Sequence, residues 1–103
     1  MKALGFLGLF FIMNGSPLFA GPLQFAGGDG SSIESAVIIR GAKNEGEGIS
    51  AEHQYLSSHF GSWFLKRQAL INKKGRFYDQ MQITDKTGSD RLVYFDITEF
   101  FAK

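Results

Sequence analysis

The sequence predicts an α+β fold, in which one helix packs on a mostly antiparallel sheet of about four strands in the order β-α-β-β-β. Three observations support this prediction. A short β-branched run at residues 36–40 precedes helical periodicity at residues 44–60. Three strand-like segments follow, at residues 63–72, 76–84 and 91–98. Turn-rich connections separate them, which is typical of a β-meander.

The N-terminal segment has the layout of a secretory signal peptide. Lys2 supplies a positive charge, residues 3–13 form an unbroken apolar or small run, and residues 14–17 interrupt it. Ala20 then offers a small residue for cleavage. A membrane-spanning helix needs about 20 apolar residues, and this run is much shorter. We therefore expect residues 1–20 to be removed, the protein to be secreted to the bacterial periplasm or exterior, and no stable membrane anchor to remain.

The composition of the mature chain excludes several classes of function. The full chain has 11 basic and 10 acidic residues, so loss of Lys2 leaves a formally neutral protein. Nucleic-acid binding usually shows a basic stripe, and we expect no nucleic-acid partner. The chain has no cysteine, which excludes disulfides, a thiolate nucleophile and thiolate metal ligands. We expect one small α+β domain at residues 36–103, stabilised by packing alone.

Residues 21–35 are predicted to form a flexible tether. They are rich in glycine and serine, and such a segment buries too little apolar surface to offset its ordering entropy. The glycine-rich run at residues 27–32 lacks the Gly-Lys-Ser/Thr of a phosphate-binding loop. We therefore expect no phosphate site there.

The helix has two possible starts. Asn44 with Glu47 three residues later fits a capping box, although glycines weaken that first turn, and Ser50 is the alternative cap. Gly61 is a natural stop. The apolar side of the helix is expected to carry Ile49, Leu56 and Phe60.

A strand register follows if residues 73–75 form a three-residue hairpin loop. Asn72 then pairs with Arg76 and Leu65 with Ile83, while Ile83 pairs with Val93 and Met81 with Phe95. Arg67 and Asp79 intrude on the face toward the helix, at diagonal positions from which they could reach each other. That face is predicted to carry Trp63, Leu65, Ile71, Phe77, Met81, Ile83, Val93, Phe95 and Ile97.

The opposite sheet face is amphipathic, with apolar and aromatic groups among amides. Tyrosine and phenylalanine dominate contact hot spots in protein interfaces. The sequence therefore suggests a binding platform, with a merely solvated face as the alternative. The predicted binding residues are Phe64, Leu70, Tyr78, Gln80, Leu92 and Tyr94.

No catalytic, cofactor or metal site is predicted. His53 and His59 are six residues apart on the helix, on sides too far apart to bind one ion together. Asp79 and Asp96 point to opposite sheet faces in the predicted register, so they cannot flank one substrate. No serine–histidine–acid set can be placed.

The run Asp85-Lys86-Thr87-Gly88 resembles motifs of P-type pumps and β-lactamases. A pump needs many membrane spans, and the lactamase serine–lysine pair is absent from this chain. A hairpin turn braced across its neck by Asp85 and Arg91 accounts for the same residues.

Two family resemblances cover the mature chain. The chain resembles a group of small secreted bacterial proteins without an assigned function. Three segments carry this resemblance: residues 28–32 (Gly-Asp-Gly-Ser-Ser), 36–39 (Ala-Val-Ile-Ile) and 94–101 (Tyr-Phe-Asp-Ile-Thr-Glu-Phe-Phe). This resemblance implies export but brings no active site.

The chain also resembles a PepSY-type domain, but more loosely. This resemblance is carried by the order in which Gly75, Tyr78, Gly88 and residues 93–96 follow a helix. PepSY modules occur in protease propeptides, where a helix packs on an antiparallel sheet and the module is thought to bind or inhibit. This chain departs from that pattern because Glu99 follows the last strand's Asp-x-Thr where a glycine is expected.

Together these observations predict a secreted, non-catalytic binding or inhibitory module that contacts a protein partner through the outer sheet face. Two alternatives stay open. One is a structural or assembly subunit that pairs through residues 36–40 as an edge strand, and the other is a small enzyme with an unrecognised site.

Overall fold

The computed structural model describes residues 22–103, and the predicted signal peptide lies outside them. One helix packs on one five-stranded sheet of order β1-β2-β5-β4-β3. Within the sheet β2 and β5 are parallel, and the other neighbours are antiparallel. The predicted α+β architecture is confirmed, with one strand more than expected. The elements are β1 (Gln24–Gly27), β2 (Val37–Arg40), α1 (Glu45–Phe60), β3 (Trp63–Lys73), β4 (Arg76–Asp85) and β5 (Asp90–Asp96).

The additional strand lies within the segment expected to be a tether. β1 pairs with β2 from Gln24 to Gly27. The loop that follows is also bonded: the Gly28 N–H donates to the Ala36 carbonyl over 3.1 Å, and the Tyr94 N–H donates to the Gly30 carbonyl over 2.7 Å. The tether interpretation is therefore wrong for this part of the chain. Backbone pairing to distant strands, which composition does not reveal, offsets the ordering entropy.

The helix begins at the earlier of the two predicted positions. The Asn44 Oδ1 accepts from the Glu47 N–H over 2.9 Å, and Glu47 Oε1 accepts from the Lys43 N–H over 2.9 Å. Gly61 ends the helix with φ = 72°, a conformation that favours glycine. The capping-box prediction therefore locates the start of the helix, although the Glu47 carboxylate bonds one residue earlier than in the standard box.

The β3–β4 hairpin has a two-residue loop, Lys74 and Gly75, both with positive φ. Lys73 consequently pairs with Arg76, and the predicted pairing of Asn72 with Arg76 is wrong by one residue. A β-bulge at Lys66 takes up that extra residue, so Leu65 still pairs with Ile83 as predicted.

This one-residue shift exchanges the two faces of β3 beyond the bulge. Gln68 and Leu70 lie on the helix side of the sheet, opposite Met81 and Asp79. Residues on the outer side include Arg67, so the predicted Arg67–Asp79 pair cannot form across one face. Ile71 likewise lies opposite Tyr78 on the outer side, contrary to its predicted place in the core.

The β4–β5 pairing differs from the prediction by two residues. Met81 pairs with Val93 and Asp79 with Phe95. An even shift leaves each side chain on its predicted face. The neck of the second turn is braced as predicted, because the Arg91 Nε donates to Asp85 Oδ2 over 2.9 Å. Hydrogen bonds from the Thr87 hydroxyl and from Arg91 hold the pKa of Asp85 well below its usual value.

The core lies between α1 and the central strands β2, β5 and β4. The covering helix contributes Tyr55 and Leu56, whereas the edge strand β3 is mostly exposed and its Leu65 is 46% exposed. Leu65 is therefore on the predicted face but outside the buried core. The buried apolar cluster is formed by Val37, Ile39, Ala42, Ala51, Tyr55, Leu56, Met81, Ile83, Val93, Phe95, Ile97 and Phe100.

The C-terminal turn closes the core at the start of the helix. Phe100 is buried against Gly48, where a methyl group would collide with the phenyl ring. Phe101 stacks on Phe77 with ring centroids 4.3 Å apart. The Ala102 N–H donates to Glu45 Oε2 over 2.7 Å. The last residues therefore belong to the folded unit.

Candidate functional site

The outer face is the surface of β3, β4 and β5 that points away from α1. Its register places Phe64 opposite Thr84, Ala69 opposite Gln80, and Leu92 opposite Gln82. The open half of this face is defined here as Phe64, Arg67, Ala69, Gln80, Gln82, Leu92 and Tyr94.

Two large apolar side chains are exposed on the open half. Phe64 is 75% exposed and Leu92 is 44% exposed. Tyr94 is half-buried, and its hydroxyl accepts a hydrogen bond from Gln80 Nε2 over 2.8 Å. This bond fixes an amide and a phenol on the surface in the row next to Leu92, on the side away from Phe64. The open half therefore offers apolar area together with oriented polar groups.

The other half of the outer face is covered by the loop between β1 and β2. Tyr78 is only 9% exposed and shares a cleft with Ile33 and Glu34 of that loop. Glu34 also forms an ion pair with Lys73 over 3.5 Å. Tyr78 is thus on the predicted face but is part of the folded interior, so it cannot offer its ring to a partner.

Leu70 is not on the outer face, contrary to its predicted role. The shifted hairpin register turns it to the helix side, opposite Asp79, where it is 54% exposed. Ala69 and Ile71 lie on the outer side in its place. Of the six predicted binding residues, four remain on the open half: Phe64, Gln80, Leu92 and Tyr94.

A second polar feature lies on the helix side of the sheet. Glu52 in α1 is 1% exposed, and no N–H or hydroxyl donor of the described chain bonds to either carboxyl oxygen. Its neighbour is Asp79 of β4, which is 9% exposed. Burial, followed by the hydrogen bond and negative charge of Asp79, raises the pKa of Glu52 to about 10. Glu52 is therefore protonated and neutral at pH 7.

The sequence contains a signal for this buried acid. Glu52 is three residues after Ile49 and four before Leu56, a spacing that puts it on the apolar side of the helix. No place in the core was predicted for Glu52. The proximity of Asp79 depends on how the helix crosses the sheet and has no local signal.

One cleft brings a serine, a histidine and an aspartate near one another, at Ser57, His59 and Asp85. Each of these side chains interacts with a residue outside the set of three. Ser57 Oγ accepts from the Trp63 indole over 3.1 Å, and His59 Nδ1 lies 3.0 Å from the Tyr55 carbonyl oxygen. Asp85 is occupied by Thr87 and Arg91. No hydrogen bond links these three side chains as a nucleophile and base require.

The histidines serve as aromatic packing groups. His53 contacts the Trp63 ring edge-on with centroids 5.0 Å apart, and His59 stacks on Tyr55 at 3.9 Å. Among residues 22–103, no group of three or more metal-binding side chains is found. In the same part of the chain no helix is long and apolar enough to cross a membrane.

No protein-family model, curated protein or solved structure matches this chain. The candidate site therefore has to be interpreted from its own chemistry.

Proposed function

We propose that the protein is a secreted, non-catalytic module that binds or inhibits a protein partner through the open half of its outer face. The observation that carries this proposal is the exposure of Phe64 and Leu92 on one sheet face, with the hydrogen-bonded Gln80–Tyr94 pair next to Leu92. Exposed aromatic and apolar groups near satisfied polar groups are characteristic of protein interfaces. The looser resemblance to inhibitory PepSY modules agrees with this proposal.

The structure argues against pairing through residues 36–40, the alternative suggested by the sequence. β2 lies between β1 and β5 and is hydrogen-bonded on both sides, so it has no free edge. The edges of the described sheet are β1 and β3. β3 carries a bulge and lysine side chains, both of which discourage strand addition. A face-on contact therefore fits the sheet better than an added strand.

The first test replaces two side chains of the open half. The double variant Phe64→Ser/Leu92→Ser is expected to weaken capture of the partner from native secreted material by tenfold or more. Each substitution removes an apolar contact worth roughly 1–2 kcal/mol in a protein interface. Capture is measured by quantitative pull-down on immobilised protein, with the partner then identified and its affinity determined by calorimetry.

The control is Phe25→Ser/Leu65→Ser, which removes two exposed apolar groups, 38% and 46% exposed, from the helix side of the sheet. This control should capture the partner as the wild type does. Equal loss in both variants would indicate non-specific adhesion. Normal capture by Phe64→Ser/Leu92→Ser with an unchanged melting temperature would show that the outer face is only solvated.

Export is the second part of the proposal. The mature N-terminus is expected to be Gly21, because Ala20 is the last small residue before Gly21-Pro22. N-terminal sequencing or intact-mass measurement of protein from the medium or periplasm gives the answer. Recovery of the full chain with Met1 in a membrane fraction would contradict it.

A further inference from the structure

A small cleft opens between the start of α1, β3 and the C-terminal turn. Its volume is about 160 Å³. Apolar groups dominate the walls, and three polar side chains lie among them: Asp79, Gln68 and Glu45. No lysine or arginine lines the cleft. The apolar wall residues are Ile49, Leu70, Ile97, Phe100 and Phe101.

Asp79 is an aspartate without a counter-ion. The side chain is nine-tenths buried, yet none of the ion pairs in the described chain includes it. The contrast with the other two buried aspartates is direct: Asp85 is paired with Arg91, and Asp96 with Arg76. An ionised carboxylate in an apolar setting is stable only when it is paired or hydrogen-bonded.

Glu52, on α1, is fully buried and lies next to Asp79 of β4. Protonated Glu52 has one hydrogen to donate, and Asp79 is the acidic neighbour that can accept it. Asp79 is the member of the pair that lines the cleft, whereas Glu52 is enclosed behind it.

We propose that this cleft binds an organic ammonium group on an apolar stem, with Asp79 as its counter-ion and Glu52 as the positioning residue. The ammonium would supply the missing positive charge, and a short hydrocarbon stem would pack on Leu70 and Phe101. Half-exposed Ile49 and Leu70 at the mouth, 45% and 54% exposed, leave a path for the stem. This site is on the helix side of the sheet and is independent of the outer-face proposal.

The test is a titration of the full protein with n-hexylammonium at neutral pH, followed by the methyl NMR signals of Ile49 and Leu70. We expect saturable shifts of both signals. The neutral isostere hexan-1-ol should bind at least about tenfold more weakly, because it lacks the charge-assisted hydrogen bond. Asp79→Asn should weaken ammonium binding by a similar factor, whereas the exposed Glu34→Gln control should not.

A second variant supplies the cation from within the protein. Leu70 faces Asp79 directly across β3 and β4, so the ammonium of Leu70→Lys reaches the same carboxylate. This variant should fold, raise the melting temperature and no longer bind n-hexylammonium. Its readout does not depend on the stability of Asp79→Asn.

A second titration, with N-acetyl-lysine methylamide, distinguishes a lysine side chain of a partner protein from a free amine as the source of the ammonium group. Binding as tight as that of n-hexylammonium indicates a lysine side chain of a partner protein, and much weaker binding indicates a free amine. Both results support the proposal. Equal affinity for hexan-1-ol, absence of shifts with n-hexylammonium, or unchanged ammonium binding by Leu70→Lys would overturn it.

Discussion

Phe95→Ala is expected to lower the free energy of unfolding by about 3–5 kcal/mol, the cost of removing a buried phenyl ring. Phe95 is fully buried in the centre of the sheet and meets the Tyr55 ring edge-on at 5.5 Å. A small domain has a total stability of about 5 kcal/mol at the low end of the usual range. The variant should therefore be largely unfolded, as urea denaturation followed by circular dichroism will show.

Phe64→Ala is the matched control, because it removes the same ring from a position that is 75% exposed. We expect a loss below about 1 kcal/mol, in the range of ordinary surface substitutions. If Phe64→Ala were the more destabilising of the two, the assignment of the two sheet faces would be reversed.

Glu52→Gln is expected to stabilise the protein at alkaline pH and to remove most of its pH dependence between about pH 5 and pH 9. The pKa of Glu52 is about 10 in the folded protein, against an ordinary value of 4.5. Between these values the folded state holds a proton that the unfolded state has lost. The free energy of unfolding of the wild type should therefore fall as the pH rises, by at most about 1.4 kcal/mol per pH unit.

The measurement is a series of urea melts at closely spaced pH values for the wild type and Glu52→Gln. Glu34→Gln, an exposed acid on the covering loop, is the control and should keep the wild-type slope. A wild-type stability that is flat or rises from about pH 5 to pH 9 would show that Glu52 is ionised or accessible to water in the native state.

Below pH 4 the dependence has the opposite sign. Burial opposes ionisation of Asp96, but hydrogen bonds from Arg76 and Thr98 outweigh it and lower its pKa. Asp85 is shifted in the same direction. Their stabilisation is present above their ordinary pKa of 3.8 and is lost as the pH falls through the folded values. The protein should consequently be most stable in mildly acidic solution.

The buried carboxyl pair links stability to the cleft. Loss of the Glu52 proton would place two negative charges side by side beneath the helix, which is costly in an apolar environment. A bound ammonium beside Asp79 would reduce that cost. The protein stabilised by an ammonium ligand should therefore lose less stability at alkaline pH than the free protein.

The sequence was sufficient to predict the central architecture, because its signals there are local. β-Branched residues at 36–40, the Asn44 cap and the Gly61 stop located β2 and α1. The alternation of apolar residues in β4 and β5 placed Met81, Ile83, Val93 and Phe95 in the core. An error of two residues in their pairing had no effect on the faces, because side chains in a strand alternate with a period of two.

The outer-face site was predicted in part. Gln80, Leu92 and Tyr94 are on the open half because β4 and β5 keep the expected parity, and Phe64 is there because it precedes the bulge in β3. Tyr78 is not accessible to a partner because the loop between β1 and β2 covers it. The conformation of that loop depends on hydrogen bonds to distant strands. A Gly/Ser-rich segment carries no local signal for such bonds.

What the sequence by itself determined is the succession of elements from β2 to β5 and the parity of β4 and β5, because these follow from residue periodicity and from capping residues. Only the tertiary structure decided the face of Leu70, since a two-residue turn and a bulge at Lys66 set the register of β3. It also brought Glu52 and Asp79 together from separate elements. The contact between two buried acids requires their approach through space, and no pattern along the chain specifies that approach.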